Sequence, residues 1–125
     1  MITATFDSNI VIDALAGFIP AREEIRRARD AGGAWVSRMV WVEVLAKGMP
    51  ELVREAEAFL HGFNVDEIDA DIALRAAALR RERLRLKSPD AIILASAMRY
   101  GRTLVTRNIR DFPASMPGIR VPYLI

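Results

Sequence analysis

Asp7, Glu43, Asp90 and Asp111 are acidic residues far apart in the chain. Their local phrases are Phe6-Asp7-Ser8-Asn9, Val42-Glu43-Val44, Ser88-Pro89-Asp90-Ala91, and Thr106-Arg107-Asn108-Ile109-Arg110-Asp111-Phe112. Each stands where a predicted strand runs into a helix or a loop. If the fold brings them together, four carboxylates share one small volume. Like charges at that range raise one another's pKa or draw in a cation. A hard divalent ion bound by oxygen ligands resolves the repulsion. The chemistry predicted by such a set is Mg2+- or Mn2+-dependent phosphodiester hydrolysis.

Gathering these acids is a task for the elements between them. Ile2 to Phe6 is short, apolar and β-branched, and reads as a buried strand ending at Asp7. Ser8 can cap a helix from about Asn9 to Ala16, closed by Gly17. Pro20 opens a second helix to about Ala31, and Gly32-Gly33 ends it. Ala34 to Ser37 is a second strand, followed by a helix from about Met39 to Lys47 that Gly48 and Pro50 stop. Glu51 to Leu60 reads as helix and Phe63 to Asp66 as a weaker strand. Asp69 caps a long helix to about Leu84 with Ile72, Ala76 and Leu79 at helical spacing. Pro89 suits the first turn of a buried helix from Asp90 to Tyr100, ended by Gly101. Thr103 to Thr106 is a fourth strand, and Val121 to Leu124 is the candidate fifth.

Strands alternating with helices imply a parallel sheet covered on both faces. The expected fold class is α/β, a three-layer α/β/α sandwich on a four- to five-stranded parallel sheet. In such sheets ligands bind beyond the carboxyl ends of the strands. Asp7, Glu43, Asp90 and Asp111 all fall at that edge.

Composition narrows the class. The 125 residues suit a single domain, 1–125, and the 52 % apolar content is enough for a continuous core. No apolar run reaches the roughly eighteen residues of a membrane span. Asp7 and Asp13 come too early for a signal peptide. Cysteine is absent, which excludes disulfides and thiolate metal sites. A small cytoplasmic protein is expected. Net charge is only +2 but lopsided: residues 1–79 carry eight Lys/Arg against thirteen Asp/Glu, and residues 80–110 carry nine against two. A basic stretch beside acidic ligands suits a polyanion. A solvated, arginine-rich helix face explains the same charge equally well.

Each acid also has an ordinary explanation. Asp7 could be a strand-end cap. Glu43 sits among Val40, Trp41, Val42, Val44 and Leu45, where a charge is costly unless paired or metal-bound. Helical rotation could instead turn it to water. Asp90 in a first helical turn is favoured by the helix dipole, and on that fact alone the structural role is preferred. Asp111 could simply organise the loop before Pro113. The four together, at one sheet edge, are harder to explain away. Thr106 and Asn108 add neutral oxygens suited to outer-shell hydrogen bonds, and Ser8 and Asn9 offer the same or simple capping. Asp13 is left as structural, Trp35 and Trp41 as core, and His61 as a helix-end residue.

Two other α/β sites built on an Asp after the first strand fit less well. A haloacid-dehalogenase-type phosphatase needs a second Asp where this chain has Asn9. A receiver domain needs an acidic pair where this chain has only Asp7.

At these residues the sequence resembles a PIN-domain protein, specifically a VapC-type toxin ribonuclease of a toxin–antitoxin pair. The matching phrases run from Asp7 to Asp13, Ser37 to Gly48, Pro89 to Ala95 and Thr106 to Phe112, in that order, and cover nearly the whole chain. Singly they are weak; in this order and spacing they are specific. The resemblance implies that Asp7, Glu43, Asp90 and Asp111 form the acidic metal-binding set for Mg2+ or Mn2+. It also implies RNA as substrate, homodimerisation, and inhibition by a small antitoxin. Pro50 to Arg85 carries no family phrase.

The expected mechanism is hydrolysis of RNA. One or two ions held by Asp7, Asp90 and Asp111, with Glu43 directly or through water, bind the scissile phosphate and activate a water. Products then carry a 5′-phosphate and a 3′-hydroxyl. Arg85, Lys87, Arg107 and Arg110 are the expected RNA-binding residues, anchoring flanking phosphates. The alternatives are a PIN-like domain that binds nucleic acid or protein without cutting, and a PIN nuclease for RNA processing or for DNA.

Overall fold

A computed structural model of the protein describes residues 3–47, 49–83 and 85–125. Five strands form one sheet: β1 (Ala4–Phe6), β2 (Ala34–Ser37), β3 (Asn64–Asp66), β4 (Thr103–Val105) and β5 (Ile119–Arg120). Their order is β3-β2-β1-β4-β5, and every pair is parallel. The helices are α1 (Ser8–Leu15), α2 (Ile19–Ala31), α3 (Arg38–Lys47), α4 (Val53–Leu60), α5 (Ala70–Glu82) and α6 (Ser88–Tyr100). From β1 the chain steps to β2 and β3 in one direction, then crosses back to β4. Right-handed crossovers therefore put α1 to α4 on one face and α5 and α6 on the other. This is the expected three-layer sandwich.

The strands are short and strongly apolar because both faces are covered. Phe6, Val36 and Leu104 are fully buried, and so are Ile10 and Val11 on α1 and Ile93 on α6. Each such side chain contributes about 1.5–3 kcal/mol relative to exposure. α6 buries Ala91, Ile93, Leu94, Ala95, Ser96 and Ala97, so it is the central helix of its layer. It stops at Gly101, whose φ of +65° supplies a left-handed cap that other residues adopt at a cost. Among the described residues no helix is long and apolar enough to cross a membrane.

Several boundaries differ from the sequence reading. The fifth strand is Ile119–Arg120 rather than Val121 to Leu124. Leu104 N donates to Gly118 O and Thr106 N to Arg120 O, which sets the register early. Pro122 has no N–H to continue the ladder. The cap of α1 is Asp7, which accepts from Ser8 N, so Ser8 is the first helical residue and not the cap. Pro50–Leu52 is a 3-10 turn ahead of α4. The strand start at Ile2, the helix stop at Gly48 and the helix end at Leu84 lie outside the described residues.

Candidate active site

β1 and β4 lie side by side, and the chain leaves them toward opposite faces of the sheet. This is the topological switch point, where a crevice opens beyond the strand ends. Asp7 N donates to Val105 O at 3.0 Å, which fixes the end of β1 to the end of β4. The Asp7 carboxylate is 3 % exposed. Its Oδ1 accepts from Ser8 N at 2.8 Å, and its Oδ2 accepts from Thr106 Oγ1 at 2.7 Å and Asn9 Nδ2 at 3.3 Å. Thr106 Oγ1 itself accepts from Asn108 N at 3.0 Å and Asn9 Nδ2 at 3.3 Å, so its own proton is free to go to Asp7. Burial still raises the Asp7 pKa above its ordinary value, against these bonds and the charge of Lys47.

Asp111 is carried by the 13-residue connection 106–118 between β4 and β5, which contains no helix. Asn108 holds it twice: Nδ2 donates to Asp111 Oδ2 at 3.0 Å, and Oδ1 accepts from Asp111 N at 3.3 Å. Phe112 is fully buried and pins the loop from below.

Glu43 projects from α3 near its middle. Burial raises its pKa and Asp7 adds to the rise, with Ser8 and Lys47 working the other way. The Ser8 hydroxyl eases the charge without closing a well-formed hydrogen bond, and Glu43 Oε1 is buried with no partner. A lone buried carboxylate oxygen of this kind costs stability unless something meets it.

Asp90 stands in the first turn of α6. Its pKa is pushed up to about 6, first by burial, then by the charges of Asp7, Asp111 and Glu43, with Lys87 opposing. All three other acids thus act on this one carboxyl. Among the described residues no Lys or Arg makes an ion pair with any of the four. As the side chains stand, no three acidic groups among the described residues are gathered closely enough to hold a metal ion. They are coupled through charge rather than through shared contact. An all-oxygen donor set, mutual repulsion and an orphaned Oε1 nonetheless fit the chemistry of a hard divalent cation.

The expected RNA-binding residues divide. Arg85, Lys87 and Arg110 line a cavity of about 280 Å³ together with Asp111. Arg107 instead turns to Asp13, donating from Nε at 2.7 Å and from its terminal nitrogen at 3.1 Å, while the Tyr123 hydroxyl donates to the same carboxylate at 2.8 Å. Asp13 is therefore occupied in a structural pair. The sequence marks Lys47 only as the end of a predicted helix. Its place four residues after Glu43 on α3 is the signal that brings its charge to Glu43 and Asp7. Sequence reasoning also missed Arg83, whose guanidinium donates to Asp111 O at 2.9 Å.

With this geometry in place, comparison with known proteins is informative. Residues 4–114 match the PIN domain family. The chain belongs to that family. A chain of a toxin–antitoxin complex from Klebsiella pneumoniae is 38 % identical, with a TM-score of 0.85, covering 98 % of this chain and 100 % of that one. A chain of the DNA-bound VapBC from Salmonella typhimurium is 24 % identical, with a TM-score of 0.77 and 96 % of each chain covered. A chain of VapBC2 from Rickettsia felis, bound to a DNA fragment from their promoter, is 21 % identical at the same TM-score, covering 95 % and 96 %. At the two lower identities the likeness is one of fold. Comparison with curated proteins gave no match. The resemblance to a PIN domain, read from the four acidic phrases, is upheld.

Proposed function

We propose that the protein is a divalent-metal-dependent endoribonuclease, the toxin of a toxin–antitoxin pair, acting as a single domain in the cytoplasm. The observation that carries this reading is four acids at the carboxyl edge of one parallel sheet, with Glu43 Oε1 buried without a partner and no ion-paired cation on any of the four among the described residues; the raised pKa of Asp90 agrees with it. Asp7, Asp90 and Asp111, with Glu43, would hold Mg2+ or Mn2+. When bound, the ion supplies Lewis acidity and an activated water. The residues of the chain orient and exclude. Thr106 and Asn9 hold the Asp7 carboxylate in one rotamer, and Asn108 does the same for Asp111. Arg85, Lys87 and Arg110 would take the phosphates beside the scissile bond. Arg107 would join them only by leaving Asp13.

The partner is proposed to be a small antitoxin, and the working form a homodimer. An apolar groove of about 230 Å³ between α1, α3 and α4 is lined by Ile12, Leu15, Leu45, Met49, Leu52 and Val53. It reaches Lys47 at the edge of the acidic cluster, so an amphipathic antitoxin segment lying there would also cover the site.

The test is cleavage of total RNA by the wild type and by Asp90→Ala, each with Mn2+ and with EDTA, mapping the new 5′-phosphate ends. Wild-type cleavage should require Mn2+ and fall by about a thousandfold or more in the variant. Undiminished cleavage by Asp90→Ala, free of contaminating nuclease, would defeat the proposal.

A further inference from the structure

Arg83 links two loops that border the site. Its N–H donates to Leu79 O at the end of α5, and its carbonyl accepts from Leu86 N at 3.0 Å, which shapes the turn carrying Arg85 and Lys87. Its side chain reaches the other way. One terminal nitrogen donates to Asp111 O at 2.9 Å, and the other contacts Met116 Sδ at 3.5 Å. Arg83, Arg85, Arg110 and Asp111 border one cavity of about 310 Å³. The connection that carries Asp111 is tied to α5 through this guanidinium, and a charge-assisted bond to a carbonyl is stronger than a neutral one. Asn108 restrains the Asp111 side chain locally, but Asn108 moves with the same loop. Arg83, the C-cap of α5, is a restraint that comes from outside that loop.

We propose that Arg83 is a positioning residue for Asp111, holding the β4–β5 connection where its carboxylate can join those of Asp7, Glu43 and Asp90. The proposal rests on the reading of those acids as a metal site. It makes a prediction of unusual sign. Removing a positive charge near a cation site should, through charge alone, tighten cation binding. Removing a positioning contact should weaken it, by about tenfold for an outer-shell partner.

The experiment is calorimetric titration of Mn2+, without RNA, into the wild type, Arg83→Met, Arg83→Lys, Arg83→Gln, Asp111→Asn, the double variant Arg83→Met/Asp111→Asn, and the charge control Arg81→Met. All are measured well below their melting points. Arg83→Met should bind Mn2+ about tenfold more weakly, Arg83→Lys should recover most of that loss, and Arg81→Met should bind as tightly as the wild type or tighter. With Asp111 already changed to Asn, Arg83→Met should add little, because residues acting as a unit are not additive. If Arg83→Met does not fold, Arg83→Gln, which keeps a donor but no charge, carries the same prediction with a smaller loss. Binding by Arg83→Met and Arg83→Gln that is unchanged or tighter overturns the positioning role while leaving the metal site intact. A wild type that binds no Mn2+ overturns the metal reading and the positioning role with it.

Discussion

At Asp66 a carboxylate 5 % exposed meets Arg102 through two bonds, from Nε at 3.1 Å and from a terminal nitrogen at 2.8 Å, and the guanidinium stacks 3.6 Å from the Trp35 ring centre. At Asp90 a half-buried carboxylate feels the charges of three other acids and forms no ion pair among the described residues, and its pKa rises to about 6. One protein treats two withdrawn acids in opposite ways. A charge kept for the fold is given a partner with matched geometry. The charge that the proposed function assigns to chemistry has no paired cation among the described residues. Asp90 is the less deeply buried of the two and yet has no paired cation among the described residues, so the difference lies in compensation and not in depth of burial.

Breaking the compensated pair should have the largest effect on stability. Arg102→Met leaves Asp66 buried alone and should cost about 3–5 kcal/mol in chemical denaturation. Mn2+ affinity of the folded fraction should be untouched. A loss too small to measure would mean that Asp66 finds other relief, and the contrast would fail.

Next in size is the pH dependence of the metal-free protein. Asp7, Glu43 and Asp90 all have folded pKa values above their ordinary ones. Such groups contribute stability below the unfolded pKa, and it is lost as pH rises through the folded one. In EDTA the protein should therefore lose stability between about pH 4 and pH 7 by about 1–2 kcal/mol from Asp90, after allowance for its partial exposure. Saturating Mn2+ should reverse that slope, because the ion binds the deprotonated forms. Asp90→Asn should flatten the slope in EDTA. Calorimetric melting across this range reads all three, and a metal-free protein most stable at neutral pH would contradict the site described.

The smallest effect belongs to Asp13. Burial pushes its pKa up, but the hydrogen bonds of Arg107 and Tyr123 together hold it below the ordinary carboxylate range. Its sign is opposite: its stability is present above the unfolded pKa and is lost as pH falls through the folded one. Arg107→Met should cost about 1 kcal/mol or less, visible mainly as reduced resistance to acid in a melting series. An acid limb identical to the wild type would show that Tyr123 alone suffices.

Much of this was legible from the chain. A parallel sheet followed from alternating apolar strands and helices, and with it the place of Asp7 and Asp111 beyond strand ends; the strand order, and so the switch point between β1 and β4, came only with the fold. What escaped was whatever depends on side-chain reach rather than on backbone periodicity. Arg107 and Arg110 stand in one phrase and both looked free, yet only the fold shows Asp13 within reach of the first. Arg83 was one more arginine in a basic stretch, and nothing local marks it as the one that meets Asp111 O. The fifth strand was misplaced because pairing with β4 begins right after Gly118, a turn set by a φ of +80°. The apolar run that follows it carried the misleading signal.

The triple hydrogen bonding at Asp7 has a practical side. That carboxylate closes the first turn of α1 and also fastens β1's end to Thr106. Replacing it with alanine loosens a helix start, worth about 1 kcal/mol, along with any ligand role, so a silent enzyme could reflect either loss. Asp90 accepts none of the hydrogen bonds found among the described side chains and sits inside a helix that alanine favours. On the proposed function, an inert but correctly shaped protein for trapping uncut RNA is therefore better built there.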